Sequence, residues 1–164
     1  MVSQAKIDEF HKNSGEVLRL ELEIESQLDM FFYNYFCKIE DNRLLLFKEI
    51  LLPKLNFESK IRIFKKICEY EKLDTELTQK VYESVKFIQE ARNKVAHGGI
   101  FIKNVEEGPL LYKGGWITSP INELKLDSDF MEAIKNKRLI SIQGIDNLLN
   151  KLLDPDRFKK IKIE

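Results

Sequence analysis

The sequence predicts an all-α chain, a helical bundle of about five helices with a small β-hairpin inserted before the last long helix. Three observations predict it. Apolar residues recur at spacings of three and four along most of the chain, breakers are few (7 Gly and 4 Pro in 164 residues), and the texture changes only over about residues 99–118. The length suggests one domain, 1–164, and a chain of this size buries roughly 70% of its unfolded surface.

Over residues 16–40 there is no Pro or Gly, and Val17, Leu20, Ile24, Leu28, Phe31 and Tyr35 fall on one helical face. A short second helix is expected over 42–52, ending at Pro53, which lacks a backbone donor. Asn56 can cap a third helix with the stripe Phe57, Ile61, Phe64 and Cys68. Asp74 or Thr75 can cap a fourth, whose stripe is Leu77, Val81, Val85, Ile88 and Val95 and whose stop is Gly98-Gly99. Ile100-Phe101-Ile102 and Leu110-Leu111-Tyr112 flank the turn signal Glu106-Glu107-Gly108-Pro109 and read as a hairpin that must lean on the helices. Helix returns near Ser128, with Gly144 expected to mark a kink and Asp154-Pro155 a stop, and the tail 155–164 is basic.

With 27 Lys plus Arg against 27 Asp plus Glu, the chain has no charge excess with which to coat nucleic acid. The charge is sorted along it, however: Lys60, Arg62, Lys65 and Lys66 are crowded together with no acid among them. No apolar run approaches the roughly 20 residues of a membrane span, and the N-terminus has no apolar signal core, so a cytoplasmic chain without membrane contact is expected. Cys37 and Cys68 stand in no metal or redox spacing and read as two buried thiols. Only His11 and His97 are available to a metal, and neither belongs to a ligand motif, so no metal or other cofactor is expected.

Polar residues interrupt the stripes at three places. Arg92 falls between Val85 and Ile88 on the helical wheel, Glu21 beside Leu28, and Lys60 between Phe64 and Ile67. A guanidinium there snorkels, faces a cleft or pairs with a carboxylate. We therefore expect Glu21 or Glu25 to pair with Arg92 or Lys60 across the bundle. Asn93 and His97 share a face about 100–140° round the helix from Arg92, and Arg92 and His97 are separated by a rise of about 7.5 Å. His97 stands at the negative end of its helix, a position suited to acid–base work. Arg62, Lys65 and Lys66 form a basic face, either simply solvated or an RNA-contacting strip.

The run Ala91-Arg92-Asn93-Lys94-Val95-Ala96-His97-Gly98, late in a helical chain, resembles the signature of the HEPN (higher eukaryotes and prokaryotes nucleotide-binding) superfamily: Arg, four to six residues, then His, often with Asn after the Arg. The resemblance implies a helical bundle that dimerises with its motif helices facing each other. In catalytic members it implies a metal-independent endoribonuclease leaving 2′,3′-cyclic phosphate ends. Arg92, Asn93 and His97 would then be the catalytic set, and the two subunits would make a composite cleft. Such domains often serve as toxins or in phage defence, restrained by an antitoxin or regulatory protein. Others in the family are non-catalytic modules for dimerisation, nucleotide binding or protein interaction.

Overall fold

A computed structural model describes residues 3–37, 43–97, 99–101, 109–112 and 123–154. The long helices are α1 (Gln4–Phe36), α3 (Phe57–Tyr70), α4 (Thr75–His97) and α5 (Ser128–Leu153), with a short α2 (Arg43–Leu46) between the first two. Asn56 accepts from Ser59 N–H at 2.8 Å to start α3, Asp74 from Leu77 N–H at 2.9 Å to start α4, and Asp127 from Phe130 N–H at 3.0 Å to start α5. Of the two residues eligible to cap α4, Asp74 supplies the bond. The Leu77 N–H and then Lys151 hold its carboxyl below the usual range.

Cross-helix contacts give the directions. Lys60 meets Glu25, and Tyr35 donates to Glu71, so α1 and α3 run the same way. Lys65 reaches Gln79, and Arg92 reaches Glu21, so α4 runs against both. Asn13 donates to the Leu126 carbonyl, Arg138 to Glu23 and Gln27 to Asp146, so α5 is parallel to α1. α4 packs against α5, α1 and α3 and is the common wall of the core. Val17, Leu20, Ile24, Leu28, Phe31, Phe64, Val81, Val85, Ile88, Ile134, Ile145 and Leu148 are all almost fully buried there. At its centre the Phe31 and Phe64 rings meet edge to face, 4.9 Å apart.

Several elements differ from the sequence reading. α1 begins at Gln4, not near residue 16. It passes through Gly15, where an added Cβ would meet nothing within 4 Å, so on this exposed side the residue costs only propensity. The second helix does not stop at Pro53: α2 passes into a π-helical turn (Phe47–Leu51) and then a 3-10 turn (Leu52–Lys54) in which Pro53 sits near the start, where its missing N–H is harmless. Cys37, at the C-terminal cap of α1, is only partly buried, not a buried thiol. Burial pushes the Cys68 thiol up to about 12.

Gly144 does not divide α5, which is one continuous helix. Its role is close approach: a Cβ there would lie 2.2 Å from Cγ2 of Val81 on α4. Gly144→Ala is accordingly expected to cost about 1–3 kcal/mol through overpacking. Much of that should return in Gly144→Ala/Val81→Ala, read as non-additivity in urea unfolding.

Strands β1 (Gly99–Phe101), β2 (Leu110–Tyr112) and β3 (Glu123–Leu124) pair antiparallel in the order β1-β2-β3, with Ile100 opposite Leu111 and Leu111 opposite Leu124. They follow directly on α4, against which β2 packs. The turn expected at 106–108, most of the insertion after Tyr112, the Gly98 stop and the basic tail after Pro155 lie outside the described residues. No helix among the described residues is long and apolar enough to cross a membrane.

Candidate functional site

α1 presents three carboxylates at four-residue intervals, Glu21, Glu25 and Asp29, along the edge it turns toward α3 and α4. Two cations answer them. Lys60 Nζ, on a side chain 4% exposed, lies 2.7 Å from Glu25 Oε1 and 2.7 Å from Asp29 Oδ1. Arg92 Nε lies 3.0 Å from Glu21 Oε2, a carboxylate whose side chain is 6% exposed. The Arg92 Nε–H is not aimed at that oxygen, so the attraction is chiefly between charges and not through a directed hydrogen bond.

Three carboxylates face two cations, and burial, followed by these charges, sets the titration directions of Lys60, Asp29 and Glu21. Burial works against the Lys60 ammonium, but the Asp29 and Glu25 carboxylates outweigh it and hold Lys60 charged. Burial pushes Asp29 up, and Lys60 offsets only part of the push because Glu25 adds to it. Glu21 is likewise raised by burial, drawn back by Arg92 and raised again by Glu25.

Beyond Ile88 the core thins, and Arg92 keeps about a third of its side chain exposed. Its Nη1 makes a long hydrogen bond of 3.3 Å to Asn93 Oδ1. The guanidinium is thus held from below by Glu21 and from the side by Asn93, with its outer edge toward solvent. Asn93 and His97 are exposed on the last two turns of α4, ahead of the small sheet. A single copy of the chain therefore offers an anchored Arg and, around the helix, an accessible Asn–His pair. Two cavities lie elsewhere, one of about 200 Å³ by Lys6, Phe10, Lys125 and Leu126, the other of about 120 Å³ by Cys68 and Thr78. Both are smaller than usual ligand pockets.

The basic face on α3 does not converge with this group. Lys65 sits 4.4 Å over the Tyr82 ring and donates to Gln79, while Arg62 and Lys66 are exposed. From Tyr82 to His97 the rise along α4 is about 22 Å. Only an extended strand could touch both groups. Asp29, the third carboxylate of the charge seam, interrupts no apolar stripe, and its signal in the sequence is the repeat of four from Glu21 through Glu25. Among the described residues no group of three or more His, Cys, Asp or Glu side chains could hold a metal ion.

Fold and site together define a class: a predominantly helical bundle whose central helix ends in an Arg-x4-His pair backed by a buried carboxylate. Neither a family model, nor a curated protein, nor a solved structure matches this chain.

Proposed function

We propose that this chain is a HEPN-type, metal-independent endoribonuclease that works as a homodimer, with Arg92, Asn93 and His97 of both copies lining one cleft. The observation that supports this most is the anchoring of Arg92. A buried carboxylate and the neighbouring Asn93 hold its guanidinium near the end of α4, while His97 stands accessible on the last turn of the same helix. RNA carries its own nucleophile. The 2′-oxygen attacks the adjacent phosphorus, the bond to the 5′-oxygen breaks, and the products are a 2′,3′-cyclic phosphate and a 5′-hydroxyl. His97 accepts the 2′-hydroxyl proton or donates one to the leaving oxygen, and Arg92 neutralises charge gathering on the phosphorane. Asn93 orients the histidine or the phosphate. A second copy supplies the His97 that the turn of one helix carries away from its own Arg92. The strip of Arg62, Lys65 and Lys66 is the proposed contact for flanking RNA. Such an activity, of toxin or phage-defence type, calls for an antitoxin or other regulatory protein to restrain it.

The test is incubation of the purified protein with RNA in EDTA, with end analysis. Fragments with 2′,3′-cyclic phosphate ends support the reading; intact RNA, or cleavage that survives His97→Ala, overturns it. The Glu21–Arg92 pair also favours a second reading. An arginine occupied with a buried carboxylate already has a structural task, as expected of a non-catalytic dimerisation, nucleotide-binding or protein-interaction module. Intact RNA together with a stable complex would favour that module.

A further inference from the structure

We propose that the outward face of the strap joining α1 to α3, residues 43–54, is a self-association surface occupied by the same face of a second copy of this chain. The strap is held to the core by Phe47 and Leu52, five residues apart. A π-helical turn brings such positions onto one side, and the Leu52 N–H bonds the Phe47 carbonyl. The two side chains therefore turn inward together, Leu52 fully buried and Phe47 partly so.

The same geometry turns Leu45, Leu46, Ile50 and Leu51 out, each between 53% and 63% exposed. Phe36, at the end of α1 and 53% exposed, adjoins them through its ring contact with Phe47 at 5.5 Å. Among its described side chains the strap thus presents more large apolar ones to solvent than it buries. Together the five expose on the order of 500 Å², within the range of about 300–600 Å² of the largest patches on monomers, which are often functional. A stable dimer buries about 800 Å² per partner, apolar at its centre and polar at its rim, so this patch supplies most of one side.

The charges beside it favour a second copy as the occupant. Lys48 and Glu49 are adjacent, exposed and opposite in sign. A twofold axis at the patch can set each copy's Lys48 against the partner copy's Glu49, the self-complementarity that an isologous interface uses. A bilayer surface calls instead for clusters of four or more Lys or Arg, and the strap carries three basic residues with one acidic one. The inference does not depend on nuclease activity, since none of Arg92, Asn93 or His97 takes part.

The experiment is the mass in solution, by light scattering on a sizing column, of the full chain and of Leu45→Glu/Ile50→Glu. The double variant is expected to have half the mass of the parent, whether the parent is a dimer through this face alone or a larger assembly that also pairs its motif helices. Both side chains are exposed, so the helical circular dichroism and melting temperature should stay in place. Lys48→Glu is the second, gentler variant. It is expected to weaken association severalfold, and Lys48→Glu/Glu49→Lys to restore it. A parent with the mass of one chain overturns the proposal, as does a double variant of unchanged mass or a charge swap that restores nothing. A single-chain parent that sediments with anionic vesicles, and loses this in the double variant, overturns it in favour of a membrane surface.

Discussion

His97→Ala is expected to lower RNA cleavage by about 10²–10⁴-fold, the share that a positioned acid–base side chain contributes, with little movement of the melting temperature. The separation follows from exposure: His97 projects from the last turn of α4, so removing its ring empties no packed space. Arg92→Ala is a different experiment. It should reduce cleavage as well, but it leaves Glu21 buried without its cation, and that costs stability. The two effects part on adding a second change. In Arg92→Ala/Glu21→Gln the buried charge is gone, so stability should largely return while activity does not.

The pH dependence gives a further check. The Glu21 carboxyl is raised in the folded chain above its ordinary value of 4.5. A raised carboxyl favours the fold below that ordinary value, and the contribution is lost as pH rises through the folded one. Without Arg92 the carboxyl is raised further. The stability deficit of Arg92→Ala is therefore largest at neutral pH and narrows as pH falls toward 4.5, a trend that urea unfolding at several pH values will read. A deficit that is flat with pH would show that Glu21 does not carry it.

Lys60→Met is expected to have the largest effect on stability, about 2–3 kcal/mol, equivalent to a fall in Tm of roughly 5–10 °C for a chain of this length. Methionine fills nearly the same volume, so the loss reports charge and not a cavity. The full penalty for stranding a buried ion is about 3–5 kcal/mol, but Glu25 and Asp29 keep 29% and 33% of their side chains exposed, and water relieves part of it. Lys60→Met/Glu25→Gln/Asp29→Asn should recover most of the loss, since well-packed neutral groups often replace a buried ion pair without cost. Here too the sign with pH is determined. Asp29 is raised above its ordinary value of 3.8, so the deficit of Lys60→Met should shrink on acidification as the stranded Asp29 carboxylate takes up a proton. A change within about 0.5 kcal/mol for Lys60→Met alone would mean that the seam contributes specificity and little stability.

Helix periodicity makes the core legible in the sequence. The stripes Val17, Leu20, Ile24, Leu28, Phe31 and Val81, Val85, Ile88 are the buried faces of α1 and α4, because burial on one side of a helix imposes the spacing directly on the chain. Element boundaries were less legible. The first turns of α1 carry no long stripe because, before Val17, only Phe10 is fully buried, and Pro53 read as a stop because the π and 3-10 turns around it leave no clear period. Gly144 shows the same limit from the other side. A helical glycine looks like a kink until the neighbouring helix is known, and it is Val81 on α4 that makes it a contact point.

By itself, then, the sequence determined that the chain is predominantly helical, which faces its helices bury, and that Glu21, Lys60 and Arg92 interrupt those faces. Those are local properties, written in the 3.6-residue repeat. Which carboxylate meets which cation was open in the sequence, and only the tertiary structure decided it, because the choice depends on how α1, α3 and α4 align along their axes. That alignment gives Arg92 to Glu21 and Lys60 to Glu25 and Asp29. It also separates the basic strip on α3 from the end of α4 and leaves His97 exposed on the surface. A single residue repeat specifies a face; the meeting of two faces is a property of the packed bundle.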